Sequence, residues 1–102
     1  MEYVAAAKVA DVPKWGKKVV TLRGREVLLV NAGGTIHALE NECPHQGSPL
    51  LGGMVKDAHT LTCPRHGYRF DLDTGACRDY PEYTVKVFAV RVEGDQVLVA
   101  LD

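Results

Sequence analysis

Hydrophobic positions along the chain recur at the two-residue period of strands rather than the 3.6-residue period of helices. Val19-Val20-Thr21-Leu22 and Glu26 to Val30 flank Arg23-Gly24-Arg25, a hairpin signal in which Gly24 supplies the positive φ that a tight turn requires. Gly33-Gly34 marks the next turn and leads into Thr35-Ile36-His37-Ala38-Leu39. Glu93-Gly94-Asp95-Gln96 joins two further β-rich runs, the second alternating cleanly at Val97, Val99 and Leu101. In the run before it, Val85 and Val87 have one parity while Val90 and Val92 have the other, which predicts a bulge or twist near Phe88. No window supports a long amphipathic helix, and Val9 to Lys14 has room for one short turn. Short strands at close spacing, joined by glycine turns, predict an all-β antiparallel fold, a sandwich or barrel.

Asn41 to Pro81 breaks the alternation. This stretch is rich in Gly, Pro, Cys and His, and a candidate hairpin around Lys56 to Thr62 separates its two glycine-bearing loops. Loops on a β scaffold are where function concentrates. The remaining composition narrows the field. A chain of 102 residues and 11.1 kDa bounds the answer to one domain, residues 1–102, and 46% hydrophobic with 25% charged residues is an ordinary globular balance. A net charge of -1 and a pI near 6.4 give no basic field, so nucleic acid is not an expected partner. Apolar runs such as Val27-Leu28-Leu29-Val30 fall far short of the roughly 18 residues of a membrane span. The start, Met1-Glu2-Tyr3-Val4, lacks the character of a secretory signal, so a cytoplasmic location without membrane attachment is expected. Lys14, Lys17, Lys18, Arg23 and Arg25 crowd one stretch and are read as a solvated face, with docking of an acidic partner as the alternative.

The candidate chemistry is a metal site. Cys43-Pro44-His45 is followed, after seventeen residues, by Cys63-Pro64-Arg65-His66. The loops C-P-H-Q-G and C-P-R-H-G are near-copies, each offering one thiolate and one imidazole. Zinc takes two thiolates and two imidazoles, but its ligand pairs are usually spaced by two to four residues. The single residue between Cys43 and His45 suits neighbouring metal atoms better than one ion. A 2Fe–2S cluster provides such a pair, with Cys43 and Cys63 on the inner iron and His45 and His66 on the outer one. His37 and His59 are expected to lie outside the site, Cys77 to be a small buried thiol, and Asp71 and Asp73 to shape the turn ending at Gly75. No paired-carboxylate catalysis is expected.

C-x-H, seventeen residues, then C-x-x-H, with proline after each cysteine, resembles the Rieske iron–sulfur family. Gly67-Tyr68-Arg69-Phe70-Asp71 and the Thr74-Gly75 turn are similar to that family's second loop and exit hairpin, and the likeness runs over nearly the whole chain. The resemblance implies the Rieske fold, one [2Fe–2S] cluster, and a small cluster-binding subdomain of two loops within about residues 41–81. It also implies that Pro81 belongs to a third loop over the cluster, flanked by Tyr80 and Tyr83, and that Pro49, Leu50 and Leu51 form an apolar shoulder, with core filling as the other reading of the two leucines. The high-potential branch of the family carries an extra cysteine in each loop, where this chain has Ser48 and Arg65. That branch also has hydroxyl donors to sulfur at the positions of Tyr68 and Phe70. Fewer donors leave a reduced cluster less stabilised and lower its potential. The chain therefore resembles the soluble Rieske-type ferredoxins of bacterial dioxygenase systems. The expected role is that of a monomeric one-electron carrier between a flavoprotein reductase and a terminal oxygenase, with no enzyme activity of its own. Two alternatives stand beside it: the small subunit of an assimilatory nitrite reductase, and a zinc-stabilised, non-redox binding module.

Overall fold

Val27, Leu28, Leu29 and Val30 are completely buried, and so is Ala32. A strand apolar on both faces must have material packed on each side, and that requirement organises the molecule. The computed structural model describes residues 2–44, 47–65 and 67–101. Its strands are β1 (Glu2–Lys8), β2 (Lys17–Leu22), β3 (Arg25–Ala32), β4 (Thr35–Glu40), β5 (Met54–Asp57), β6 (Thr60–Thr62), β7 (Arg69–Asp71), β8 (Val87–Phe88), β9 (Val90–Glu93) and β10 (Gln96–Leu101). All pairings are antiparallel and build three sheets, ordered β1-β10-β9, β2-β3-β4-β8 and β5-β6-β7. The all-β expectation holds, and the short turn anticipated after residue 8 is a 3-10 turn at Val9–Asp11.

Successive side chains of a strand point to opposite faces, so β3 divides the apolar interior in two. Val27 and Leu29 face a core shared with Val97, Val99 and Leu101 of β10. Leu28, Val30 and Ala32 face a second core that holds Leu61, Phe70, Leu72 and all three cysteines. The four-stranded sheet is thus a middle layer. The sheet of β1, β9 and β10 covers one side, and the small sheet of β5 to β7 covers the other with the cysteine loops.

One sequence expectation is corrected by this layering. No register shift occurs at Phe88. The chain changes sheets there, with Val87 and Phe88 paired to β4 and Val90 to Glu93 paired to β10. Val85 and Val87 pack on the cysteine-side core, whereas Phe88 and Val90 pack on the opposite one. The parity change records two buried faces rather than an inserted residue. The register shifts lie instead between Ala5 and Ala7 in β1 and between Val55 and Asp57 in β5.

Candidate metal centre

Cys43 follows β4 and Cys63 follows β6. In the first loop the Cys43 N–H donates to the Ser48 carbonyl at 2.7 Å, and the Gly47 N–H donates to the Cys43 carbonyl at 2.7 Å. In the second, the Cys63 N–H donates to the Tyr68 carbonyl at 2.7 Å, and the Gly67 N–H donates to the Cys63 carbonyl at 3.1 Å. Offsets of five and four residues recur in both. Gly47 and Gly67 adopt φ of +74° and +71°, the left-handed region that costs other residues about 1–2 kcal/mol. The near-copy visible in sequence is therefore a near-copy of backbone.

Each loop buries its thiol and leaves its prolines outside. Cys43 and Cys63 are each 1% exposed, in one core with Leu50, Leu61, Phe70 and Leu72. Pro44 and Pro64 are exposed. None of the three cysteines is in a disulfide. Two buried thiols from matched loops, walled by apolar side chains, fit a soft iron–sulfur centre: thiolate donors are present and water is kept from them. His45 and His66 lie outside the described residues. Cys77 is 2% exposed in the same core and its N–H donates to the Tyr83 carbonyl at 3.0 Å, as expected of a buried structural thiol.

A third segment closes over the second loop. Tyr68, half-buried, has its ring centroid 4.6 Å from that of Tyr80 and 6.1 Å from that of Tyr83. Burial, reinforced by Tyr80, pushes the Tyr68 hydroxyl above the usual phenol range. Arg69 and Asp79 pair at 2.7 Å, and the hydrogen bonds between them hold the Asp79 carboxyl below the usual carboxylate range while raising Arg69. At the base of the first loop, Asn41 accepts the Leu51 N–H on its side-chain oxygen at 2.9 Å. Sequence reasoning passed over Asn41, Arg69 and Asp79. Of these only Asn41 carried a signal, a turn-forming side chain two residues before a loop cysteine.

Other candidates sort plainly. Leu50 is completely buried, the core-filling reading, whereas Pro49 and Leu51 are exposed, as a shoulder requires. A Cβ on Gly52 would meet Pro64 at 3.7 Å, so this segment lies beside the second loop. His59 Nδ1 lies 3.2 Å from Asp73 Oδ2, and His37 Nδ1 lies 3.9 Å from Asp73 Oδ1. That group sits by the β5–β6 turn, at the end of the small sheet away from Cys63. Asp71 shapes the following turn by accepting the N–H groups of Asp73 at 2.8 Å and Thr74 at 3.2 Å. In the early basic stretch, Lys17 donates to the Gly53 carbonyl, Arg23 pairs with Glu2 and Arg25 pairs with Glu40. Three of those cations are engaged by the chain itself.

Comparison with known proteins agrees with this geometry. The human protein apoptosis-inducing factor 3 is 35% identical over 96 residues, 93% of this chain, but the chain spans only 16% of that relative's length. The ferredoxin component of the alkene monooxygenase system of Xanthobacter autotrophicus is 30% identical, and the match covers all of this chain and 84% of the relative. Among solved structures, the ferredoxin of carbazole 1,9a-dioxygenase from Nocardioides aromaticivorans superposes with a TM-score of 0.89 at 29% identity, covering 100% of both chains. A ferredoxin captured in a complex of reduced oxygenase and oxidized ferredoxin of carbazole 1,9a-dioxygenase gives 0.84 at 26% identity, over 96% of this chain and 92% of that one. A structure described as a putative NADH-dependent nitrite reductase small subunit from Mycobacterium tuberculosis gives 0.90 at 27% identity, over 99% and 96% of the two chains. Residues 2–99 match the Rieske [2Fe-2S] domain, and the chain belongs to that family.

Proposed function

We propose that this chain is a one-electron carrier that passes electrons from a flavoprotein reductase to a terminal oxygenase. Cys43 and Cys63 would hold the inner iron of a single [2Fe–2S] cluster, and His45 and His66 the outer one, within a cluster-holding part at residues 41–81. When bound, the cluster takes up and gives back a single electron. The chain's own residues supply the rest. The matched backbone closures fix where the two thiols point, and Leu50, Leu61 and Phe70 exclude water from behind them. Exposed Pro44, Pro49, Leu51 and Pro64 offer a dry rim on which a protein partner can close.

The observation that carries this reading is the pair of hydrogen-bond-matched loops delivering one buried cysteine each into the same core. The relatives support the partner class: several are named ferredoxin components of oxygenase systems, and one similar ferredoxin is seen in complex with its oxygenase. The fit to a nitrite reductase small subunit favours a second reading, in which the electron acceptor is a large reductase subunit. Among the described residues no helix is long and apolar enough to cross a membrane. We place the carrier in the cytoplasm, working as a monomer.

Purified protein should contain iron and acid-labile sulfide in equal amount and absorb in the visible range. His45→Cys should lower the midpoint potential strongly or cost the cluster, since a thiolate adds negative charge beside the iron. Unchanged electron transfer in that variant would refute the ligand assignment. Co-purification with an oxygenase rather than a nitrite reductase separates the two readings.

A further inference from the structure

The chain leaving the second cysteine loop runs directly into β7, whose first residue is Arg69. The Arg69 N–H donates to Asp79 Oδ2 at 2.9 Å, its Nη2 donates to Oδ1 at 2.7 Å, and its Nε donates to Oδ2 at 3.3 Å. Its carbonyl accepts the Arg78 N–H at 2.7 Å. One carboxylate thus gathers three donors from a single residue, backbone and side chain together. This fixes position far better than a lone surface ion pair, whose two side chains are free to part.

The lock leads straight to the cysteine. Asp79 precedes Tyr80, and the Tyr80 ring packs on Tyr68. The Tyr68 carbonyl in turn accepts the Cys63 N–H that closes the loop. Tyr83 completes the cover, with its N–H donating to the Tyr80 carbonyl at 3.0 Å. The route from Asp79 to Cys63 runs through Tyr80 and Tyr68, all within this chain.

We infer that Asp79 is a positioning residue for the metal centre: its carboxylate locks residues 78–83 against β7 so that Tyr80 and Tyr83 keep the Cys63–Tyr68 closure covered. The identity of the centre rests on the function proposed above; the lock rests on the chain's own hydrogen bonds. Releasing it admits water beside Cys63. Water stabilises the added negative charge of a reduced centre, so the potential shifts upward, and it opens a path for chelators.

The test compares wild type, Asp79→Ala, the milder Asp79→Asn and Arg69→Leu in three measurements: amide hydrogen exchange, iron loss to a ferrous chelator, and midpoint potential. Exchange at Cys63 and Gly67 is expected to quicken about tenfold in Asp79→Ala and Arg69→Leu, and by less in Asp79→Asn. Chelation should quicken in the same order, and all potentials should shift upward. A charge effect alone predicts otherwise: Asp79→Ala shifts up, Arg69→Leu shifts down, and exchange does not change. That pattern overturns the proposal, as does faster exchange spread evenly over all three sheets. Wild-type iron and sulfide content judges the proposed function separately, while exchange at Cys63 judges the lock whether or not metal is found.

Discussion

Replacing Gly75 by alanine would put a methyl group 2.0 Å from the Val85 carbonyl oxygen and 3.1 Å from its carbon, at a φ of +83°. Both obstacles are backbone, which cannot swing aside as a side-chain tip can. Gly75 is also pinned at both ends: its N–H donates to the Asp71 carbonyl at 2.7 Å, and its carbonyl accepts the Val85 N–H at 2.9 Å. The left-handed conformation alone costs a side chain about 1–2 kcal/mol. Separating the two segments enough to clear the methyl forfeits the Gly75–Val85 hydrogen bond, a further loss of about 0.5–1.5 kcal/mol. The expected destabilisation is about 2–4 kcal/mol once displaced packing around Val85 is included. Gly24→Ala is the control, with a φ of +79° and nothing within 4 Å, so it carries only the conformational part. Urea unfolding followed by fluorescence reads both. With a slope of about 1–3 kcal/mol per molar for small domains, the midpoint of Gly75→Ala should fall by roughly 1–2 M, about twice the fall of the control. Equal shifts in the two variants would refute the steric reasoning.

Further outcomes follow from the other layers. Leu28→Ala and Leu29→Ala should each cost about 2–5 kcal/mol. Only Leu28, which faces the cysteines, should alter the visible circular dichroism of the loaded protein, and a change from Leu29→Ala would contradict the two-core division. Asn41→Ala leaves the Leu51 N–H without its acceptor and should cost about 1 kcal/mol, read as a lower thermal midpoint. Among the described residues, three aspartates sit below the usual carboxylate range. Asp57 is lowered by the His59 amide and Asp79 by Arg69; for Asp71, burial acts upward but is outweighed by the amides of Asp73 and Thr74 and by Arg78. Each binds fewer protons folded than unfolded, so its stabilisation is complete above the ordinary carboxylate pKa of about 4 and is lost as pH falls through the lower folded values. Urea midpoints measured from pH 7 to pH 2.5 should be flat and then drop, and Asp71→Asn should blunt the drop.

Much of the scaffold was legible because hairpins are local. Glycine turns at residues 24, 33–34 and 94 announced β2 to β4 and β9–β10, and the doubled C-P motif announced two alike loops. Layering was not legible, because parity shows that a face is buried but not what buries it. Val85, Val87, Phe88 and Val90 looked like a disrupted strand until two cores claimed them. Leu50 next to Leu51 posed the same problem: neighbours of equal hydropathy, one interior and one exposed, told apart only by the Leu50–Gly52 turn. The Arg69–Asp79 pair joins residues ten positions apart through side-chain reach, which no periodicity encodes.

Glu2 pairs with Leu101 across β1 and β10, and that sheet lies behind the middle layer, on the far side from the cysteines. Glu2 and Leu101 therefore lie side by side on that far side. A unit built this way can be joined to another polypeptide at that sheet without bending the cysteine loops. The match to this chain accordingly spans all of a small solved ferredoxin but 16% of a human protein's length.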